Sequence, residues 1–114
     1  MLYFQWAVME ANLDHVVGAE QKGTLPVLIV SNEEYNQAMP NITILQLTST
    51  RRHLYPSEVL LSEGKAGQPL ESIVMAHKVR TISKKRLGRT VGHLDDLQIQ
   101  HAVRRAIKEH LDID

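Results

Sequence analysis

Short apolar segments separated by turn residues most constrain what this chain can fold into. None of its uninterrupted apolar runs exceeds four residues, as in Val27–Val30. A strand needs only about 4–8 residues of this kind, whereas a buried helix needs about 10–12 in a helical pattern. A helix that crosses a bilayer needs about 20 apolar residues. The pattern therefore predicts a mainly β protein that does not associate with a membrane.

Strands are predicted where apolar and β-branched residues alternate or cluster between Gly, Pro and Asn. Short strands at this spacing, with few helices, indicate a barrel or a sandwich. The predicted strands are Val27–Val30, Ile42–Thr48, Val59–Leu61, Ser72–Ala76, Lys78–Ile82 and Arg89–Gly92. Leu2–Gln5 matches the end of a protease-site scar from an expression vector, and the alternative is a further strand over Tyr3–Val8.

Two helices are predicted. A short one begins after Ser31 or Asn32, either of which can cap it, and ends before Pro40, which disfavours helical backbone in the preceding residue. The C-terminal helix runs from about Asp95 to Leu111, because apolar residues recur there at close to helical spacing.

Composition bounds the class of protein further. The chain has 114 residues, enough for one core, so residues 1–114 are expected to form a single domain. It contains no cysteine, which excludes disulfides, a thiol nucleophile and thiolate metal sites and fits a cytoplasmic location.

Charge is unevenly distributed although it sums to zero. Residues 1–50 hold one base and five acids, whereas residues 51–114 hold twelve bases and eight acids. The second half contains a basic pair, Arg51-Arg52, and a stretch of six bases without an acid between Lys78 and Arg89. This polarity predicts a surface on which a phosphate backbone could dock.

Several kinds of chemistry lack their usual signatures. The six histidines are scattered and show no H-E-x-x-H spacing. There is no glycine-rich phosphate loop followed by Lys-Ser/Thr and no Gly-x-Ser-x-Gly elbow. We expect neither a metal site nor a cofactor.

A glycine-punctuated loop that leads into an apolar strand is the most specific motif. Residues 16–32 contain Gly18-Ala19-Glu20, then Pro26, then an apolar strand that ends at Ser31. This stretch resembles the MazF/PemK family of type II toxins, the mRNA interferases. Further blocks at consistent spacing extend the resemblance from about Ala11 to Leu111, namely Leu47–Ser49, Pro56–Leu61, Ser72–Ile82 and Arg86–Gly88.

The resemblance implies an SH3-like small β-barrel of the MazF/PemK/CcdB type, with a short helix and a C-terminal helix. It also implies a homodimeric, growth-inhibiting toxin of a toxin-antitoxin system. Such a toxin is a metal-free endoribonuclease that cleaves single-stranded mRNA at specific sequences. The implied partners are single-stranded RNA and a cognate MazE-like antitoxin.

The resemblance also assigns roles to residues. Thr48, Glu20 and the residue at position 25 are the implied catalytic group. Together with basic residues near these blocks, the same motifs indicate an RNA-binding set that comprises Gly18, Gln21, Lys22, Thr24, Ser49, Arg51, Arg52 and Lys78.

Position 25 departs from the family pattern, because Leu25 stands where the family has an arginine. Leucine can neither donate a hydrogen bond nor move a proton, so activity is expected to be lost or reduced. Three explanations stay open: a deliberate inactivating change, a degenerate relative, or replacement of the function by Lys22, Arg51 or Arg52. The alternative functions are an inactive RNA- or antitoxin-binding homologue and a CcdB-like gyrase-binding module.

Overall fold

The computed structural model describes residues 2–13 and 24–114. Within these ranges the chain forms six strands and two helices. The strands are β1 (Ala7–Ala11), β2 (Leu25–Ile29), β3 (Asn41–Thr48), β4 (Glu58–Leu61), β5 (Ser72–Ser83) and β6 (Leu87–His93). The helices are α1 (Glu33–Ala38) and α2 (Leu97–Leu111), and single 3₁₀ turns occur at Lys65–Gly67 and Lys84–Arg86.

The strands form one antiparallel sheet in the order β4-β5-β3-β2-β1-β6. The 3₁₀ turn after β4 packs against β6 so closely that glycine is needed on both sides. A methyl group at Gly67 would lie 2.3 Å from the carbonyl oxygen of Val91, and one at Gly92 would lie 2.3 Å from that of Ala66. This contact packs the turn that follows β4 against β6, the strand at the other end of the sheet. The expected small barrel-like, mainly β fold is confirmed.

Hydrophobic residues are buried on both faces of the sheet. Val27, Leu28 and Ile29 in β2 are each 0% exposed, and they alternate between two clusters. The first cluster contains Leu28 and includes Val103 and Ala106 of α2. The second contains Val27 and Ile29 and is extended by the partly buried Leu25. The continuous apolar run in β2 therefore reflects a strand buried on both faces, as predicted.

Both predicted helices are present, and side-chain caps fix where they begin. The Asn32 side chain accepts a hydrogen bond from the backbone N–H of Tyr35 at the start of α1. The Asp96 carboxylate accepts from the backbone N–H groups of Gln98 and Ile99 at the start of α2. Neither helix, in the part of the chain that is described, is long and apolar enough to span a membrane.

Two strand predictions are wrong. Ser72–Ala76 and Lys78–Ile82 are not separate strands but one twelve-residue strand, β5. The pairing with β3 jumps from Ile44–Arg80 to Gln46–Met75, so several β5 residues oppose one β3 residue. This irregularity, and not a turn, interrupts the sequence pattern.

The alternative strand over Tyr3–Val8 begins later than expected. Trp6 has φ 71°, which is left-handed backbone that a strand does not contain, and β1 starts at Ala7. The Trp6 ring is nevertheless buried in the first cluster, whereas Tyr3 is exposed.

A candidate active-site groove

An open groove of about 410 Å³ lies where β2 begins and β3 ends. Polar and apolar side chains from distant parts of the sequence line it. They are Glu10, Thr24, Leu25, Pro26, Leu47, Thr48, Ser49, Gln68, Pro69, Leu70, Ser72, Arg89 and Val91.

Strand register explains why residues near 25 and 48 meet. The two strands are antiparallel, with Val27 opposite Gln46 and Ile29 opposite Ile44. The same register, continued by two residues, places Leu25 opposite Thr48. Both residues line the groove. The structure therefore brings together the two positions that the family resemblance assigns to catalysis.

The Thr48 hydroxyl is held by the turn that follows β3. It donates a hydrogen bond to the Thr50 hydroxyl at 3.1 Å and accepts one from the Thr50 backbone N–H at 3.2 Å. Thr24 and Ser49 are exposed beside it. This edge of the groove thus presents the hydroxyl groups of Thr24, Thr48 and Ser49. An anionic oxygen that accepts from Thr48 would replace the Thr50 hydroxyl as the acceptor.

Leu25 contributes an apolar wall instead of a cation. Its side chain is partly buried against the second hydrophobic cluster while it also lines the groove. The side chain at position 25 therefore has no group that could donate a hydrogen bond or move a proton.

A charged pair that sequence reasoning missed lies on the β1–β6 side of the groove. The Arg89 guanidinium contacts the Glu10 carboxylate at 3.0 Å, and both residues line the groove. The sequence shows Arg89 only as the last base of a basic stretch, and Glu10 only as one of five acids in residues 1–50. No local motif links two residues that are 79 positions apart.

Arg51 and Arg52 lie next to the groove and differ in their partners. Both line a smaller depression that shares Ser49 with the groove. Arg52 donates two hydrogen bonds of 2.7 Å to the Glu58 carboxylate and lies 4.3 Å from the ring centre of Tyr55. Arg51 is exposed. Of this basic pair, Arg52 is thus engaged with protein groups.

The Glu58 carboxylate is the centre of a buried network. Its side chain is fully buried and also accepts hydrogen bonds from the Tyr55 backbone N–H and from His77 Nε2. The hydrogen bonds from Arg52, above all, lower the pKa of Glu58 from 4.5 to about 2. The network joins the segment after β3 to β4 and β5.

The remaining predicted site residues lie elsewhere. Lys78 is exposed in β5 and is not among the residues that line the groove. Gly18, Glu20, Gln21 and Lys22 fall outside the described residues.

Fold and groove together define a small β-barrel-like protein whose open groove, as far as the described residues show, is lined by hydroxyl groups and by the Arg89–Glu10 pair. Residues 4–111 match the family described as PemK-like, MazF-like toxin of type II toxin-antitoxin system. The chain belongs to this family.

Individual proteins that resemble this chain in sequence or in structure are toxins or endoribonucleases of the same kind. The chain is 33% identical over 87 residues to endoribonuclease EndoA of Bacillus subtilis, with 75% of each chain covered. It superposes on the Mycobacterium tuberculosis toxin MazF-mt6 with a TM-score of 0.79, 29% identity and coverage of 95% and 98% of the two chains. A mycobacterial endoribonuclease in complex with its cognate antitoxin gives a TM-score of 0.79 at 25% identity, with 97% and 96% covered.

Proposed function

We propose that this chain is an endoribonuclease toxin that cleaves single-stranded mRNA without a metal ion. Family membership supports the class of protein, and the relatives named as endoribonucleases support the class of substrate. The observation that carries the proposal is the meeting of Thr24 and Leu25 with Thr48 and Ser49 in one groove.

RNA cleavage of this kind has three chemical requirements. A base removes the proton of a 2′-hydroxyl, whose oxygen then bonds to the adjacent phosphorus. The bond from phosphorus to the 5′-oxygen breaks, and an acid, which can be water or the protonated base, gives that oxygen a proton. Hydrogen-bond donors must stabilise the charge that builds on the phosphoryl oxygens.

Named residues are proposed for these roles. Thr48 donates to a phosphoryl oxygen, and Glu20 accepts the proton of the 2′-hydroxyl. Thr24 and Ser49, with Gly18, Gln21 and Lys22 of the preceding loop, hold the flanking nucleotides. Arg51, Arg52 and Lys78 attract the backbone of the RNA. For Arg52 this contact has to coexist with its two hydrogen bonds to Glu58.

Leu25 favours a second candidate function, which is binding of RNA or of an antitoxin with little cleavage. Removing one preorganised donor from such a site costs a factor on the order of 10²–10³ in rate. The apolar contact of Leu25 with the second cluster shows that the side chain is accommodated in the wall of the groove.

Partners and location follow from the same proposal. One similar structure is that of an endoribonuclease in complex with its cognate antitoxin. We propose that a MazE-like antitoxin occupies the groove of this chain. We further propose that the toxin is a cytoplasmic homodimer of single-domain subunits. Light scattering that finds only monomer at micromolar concentration would contradict the dimer.

A cleavage assay tests the proposed activity. Purified protein and its Leu25→Arg variant are incubated with mixed-sequence RNA in the presence of a chelator, and binding is measured in parallel. We expect Leu25→Arg to cut faster than the parent chain, by no more than the factor on the order of 10²–10³ that one such donor contributes. If both proteins bind RNA and neither cuts, the second candidate is correct. If neither cuts or binds RNA, both candidates are wrong, and retention of host gyrase in a pulldown would favour a gyrase-binding module.

A further inference from the structure

The groove contains an arginine that the family resemblance does not assign to the site. Arg89 lines it together with Thr48 and Leu25 and reaches it from β6, at the opposite edge of the sheet from β4. Its side chain is 70% exposed. A guanidinium in this position can donate two parallel hydrogen bonds to a phosphate.

Arg89 lies at a local irregularity in β6. Met9 pairs with Thr90 and Ala11 pairs with Leu87, so Gly88 and Arg89 together oppose the single residue Glu10. Such a bulge bends a strand and changes the direction of a side chain, and bulges are common next to active sites. A Cβ atom at Gly88 would lie 3.6 Å from the Glu10 carbonyl oxygen, which is ordinary packing.

The contact that holds Arg89 is one that a ligand can replace. Among the residues that the structure describes, it is one ion pair of 3.0 Å to Glu10, whose side chain is 33% exposed. Exposed pairs of this type contribute little to stability, since both groups are nearly as well solvated apart. A phosphodiester of the RNA carries its charge on two non-bridging oxygens, which a guanidinium can contact in a bidentate geometry, whereas Glu10 makes one contact of 3.0 Å with Arg89.

We propose that Arg89 binds the phosphate of the RNA in this groove and supplies the cationic group that Leu25 does not provide. In the free protein Glu10 holds Arg89 in place, and the phosphate displaces Glu10 when RNA binds. This inference rests on the proposed function and adds a residue to it. It also differs from the three bases considered from the sequence, because Arg89 lines the groove and Arg52 is engaged with Glu58.

Binding measurements with a short mixed-sequence single-stranded RNA test the proposal. For Arg89→Gln we expect the Kd to rise about tenfold to a hundredfold, because charge-assisted hydrogen bonds are lost. The dependence of log K on log salt should become shallower by about 0.7, the value for one phosphate contact on a single strand. Arg105→Gln, at an exposed position of α2, is the matched control and should leave the Kd unchanged within about twofold.

A variant of the partner residue separates ligand binding from a structural role. Glu10→Gln breaks the same ion pair but leaves the guanidinium, so it should tighten RNA binding by a few-fold. If Arg89 only joined β1 to β6, Glu10→Gln and Arg89→Gln would weaken binding alike, and the proposal would be wrong.

Cleavage in the Leu25→Arg background provides the second readout. If positions 25 and 89 serve the same phosphate, Arg89→Gln should slow cleavage by on the order of 10²–10³ in the parent chain and by clearly less in the Leu25→Arg chain. Equal Kd values, salt slopes and rates for the parent and Arg89→Gln would overturn the inference while RNA cleavage stands. If the parent neither binds nor cuts RNA, the proposed function and this inference are both wrong.

Discussion

Two arginine–glutamate pairs in this molecule differ in every respect that decides whether a ligand can replace them. Arg52 makes two contacts of 2.7 Å with Glu58, whose side chain is 0% exposed. Arg89 makes one contact of 3.0 Å with Glu10, whose side chain is 33% exposed. The first pair belongs to a buried network, and the second lies at the edge of an open groove. The same two residue types thus stabilise the fold in one region and are available for binding in the other.

Removal of Glu58 should have the largest effect on stability. Glu58→Gln leaves Arg52 without its anion and disturbs the hydrogen bonds to Tyr55 and His77. Breaking a buried pair in this way typically costs about 3–5 kcal/mol. Urea unfolding measures the change, and Glu63→Gln, at an exposed position of the next loop, is the control. A loss below about 1 kcal/mol would mean that the two pairs are energetically alike.

Removal of the Thr48 hydroxyl should have the largest effect on activity and little effect on stability. In the Leu25→Arg chain, Thr48→Val should slow RNA cleavage by on the order of 10²–10³, because one donor to the phosphoryl oxygen is lost. Thr48→Ser keeps the hydroxyl and should retain most of the rate. A loss of rate in Thr48→Ser with an unchanged rate in Thr48→Val would instead assign the effect to packing of the threonine methyl group.

The close contact between the 3₁₀ turn at Lys65–Gly67 and β6 should stabilise the fold, as the buried Arg52–Glu58 pair does. Gly92→Ala should destabilise the protein by about 1–3 kcal/mol, because its new Cβ atom would clash with the backbone of Ala66. Gly64, directly before the 3₁₀ turn, is a matched control, since a Cβ atom there meets nothing within 4 Å. Its φ of 89° alone should make Gly64→Ala cost about 1 kcal/mol. Thermal unfolding distinguishes the two, and equal losses would remove the steric argument.

Acid should weaken the Glu58 network over a defined range. The pKa of Glu58 falls to about 2 in the folded protein from its ordinary 4.5, chiefly because Arg52 donates hydrogen bonds to it. The folded state therefore takes up this proton less readily than the unfolded chain. Its contribution to stability is complete above about pH 4.5 and is lost as the pH falls towards 2.

Stability measured by urea unfolding between pH 6 and pH 2.5 tests this range. The loss should be smaller, but not absent, in Glu58→Gln, since hydrogen bonds also lower the pKa of Asp96, above all the one from Lys65. A parallel decline of the parent and the variant would exclude Glu58 as a source of the acid sensitivity.

Much of the fold could be predicted from the sequence, because its periodicity is local. The caps at Asn32 and Asp96 and the buried run in β2 depend on neighbouring residues alone. The error in β5 has the opposite cause. β5 continues through an irregular pairing at residues 76–79, and this irregularity makes its sequence pattern resemble two strands. The local pattern does not reveal the partner strand, so it could not show that the two segments are continuous.

The candidate site could be predicted only in part, for a similar reason. The family blocks place Leu25 and Thr48 in a motif, and the antiparallel register of β2 and β3 explains their proximity. Glu10 and Arg89 belong to no motif. They meet because β1 pairs with β6, which is distant from it in the sequence, and because Arg89 lies where that pairing is irregular. Neither feature has a local signal.

The smallest expected effect is the coupling between Glu10 and Arg89 in the free protein. A double-mutant cycle of Glu10→Gln and Arg89→Gln should give a coupling free energy of about 0.2–1 kcal/mol, as for other exposed pairs. The corresponding cycle of Glu58→Gln and Arg52→Gln should give a clearly larger value, because that pair is buried. The coupling of the exposed pair should also fall with added salt, whereas that of the buried pair should change little. A large, salt-independent coupling between Glu10 and Arg89 would show that Arg89 is held too firmly for RNA to displace its partner.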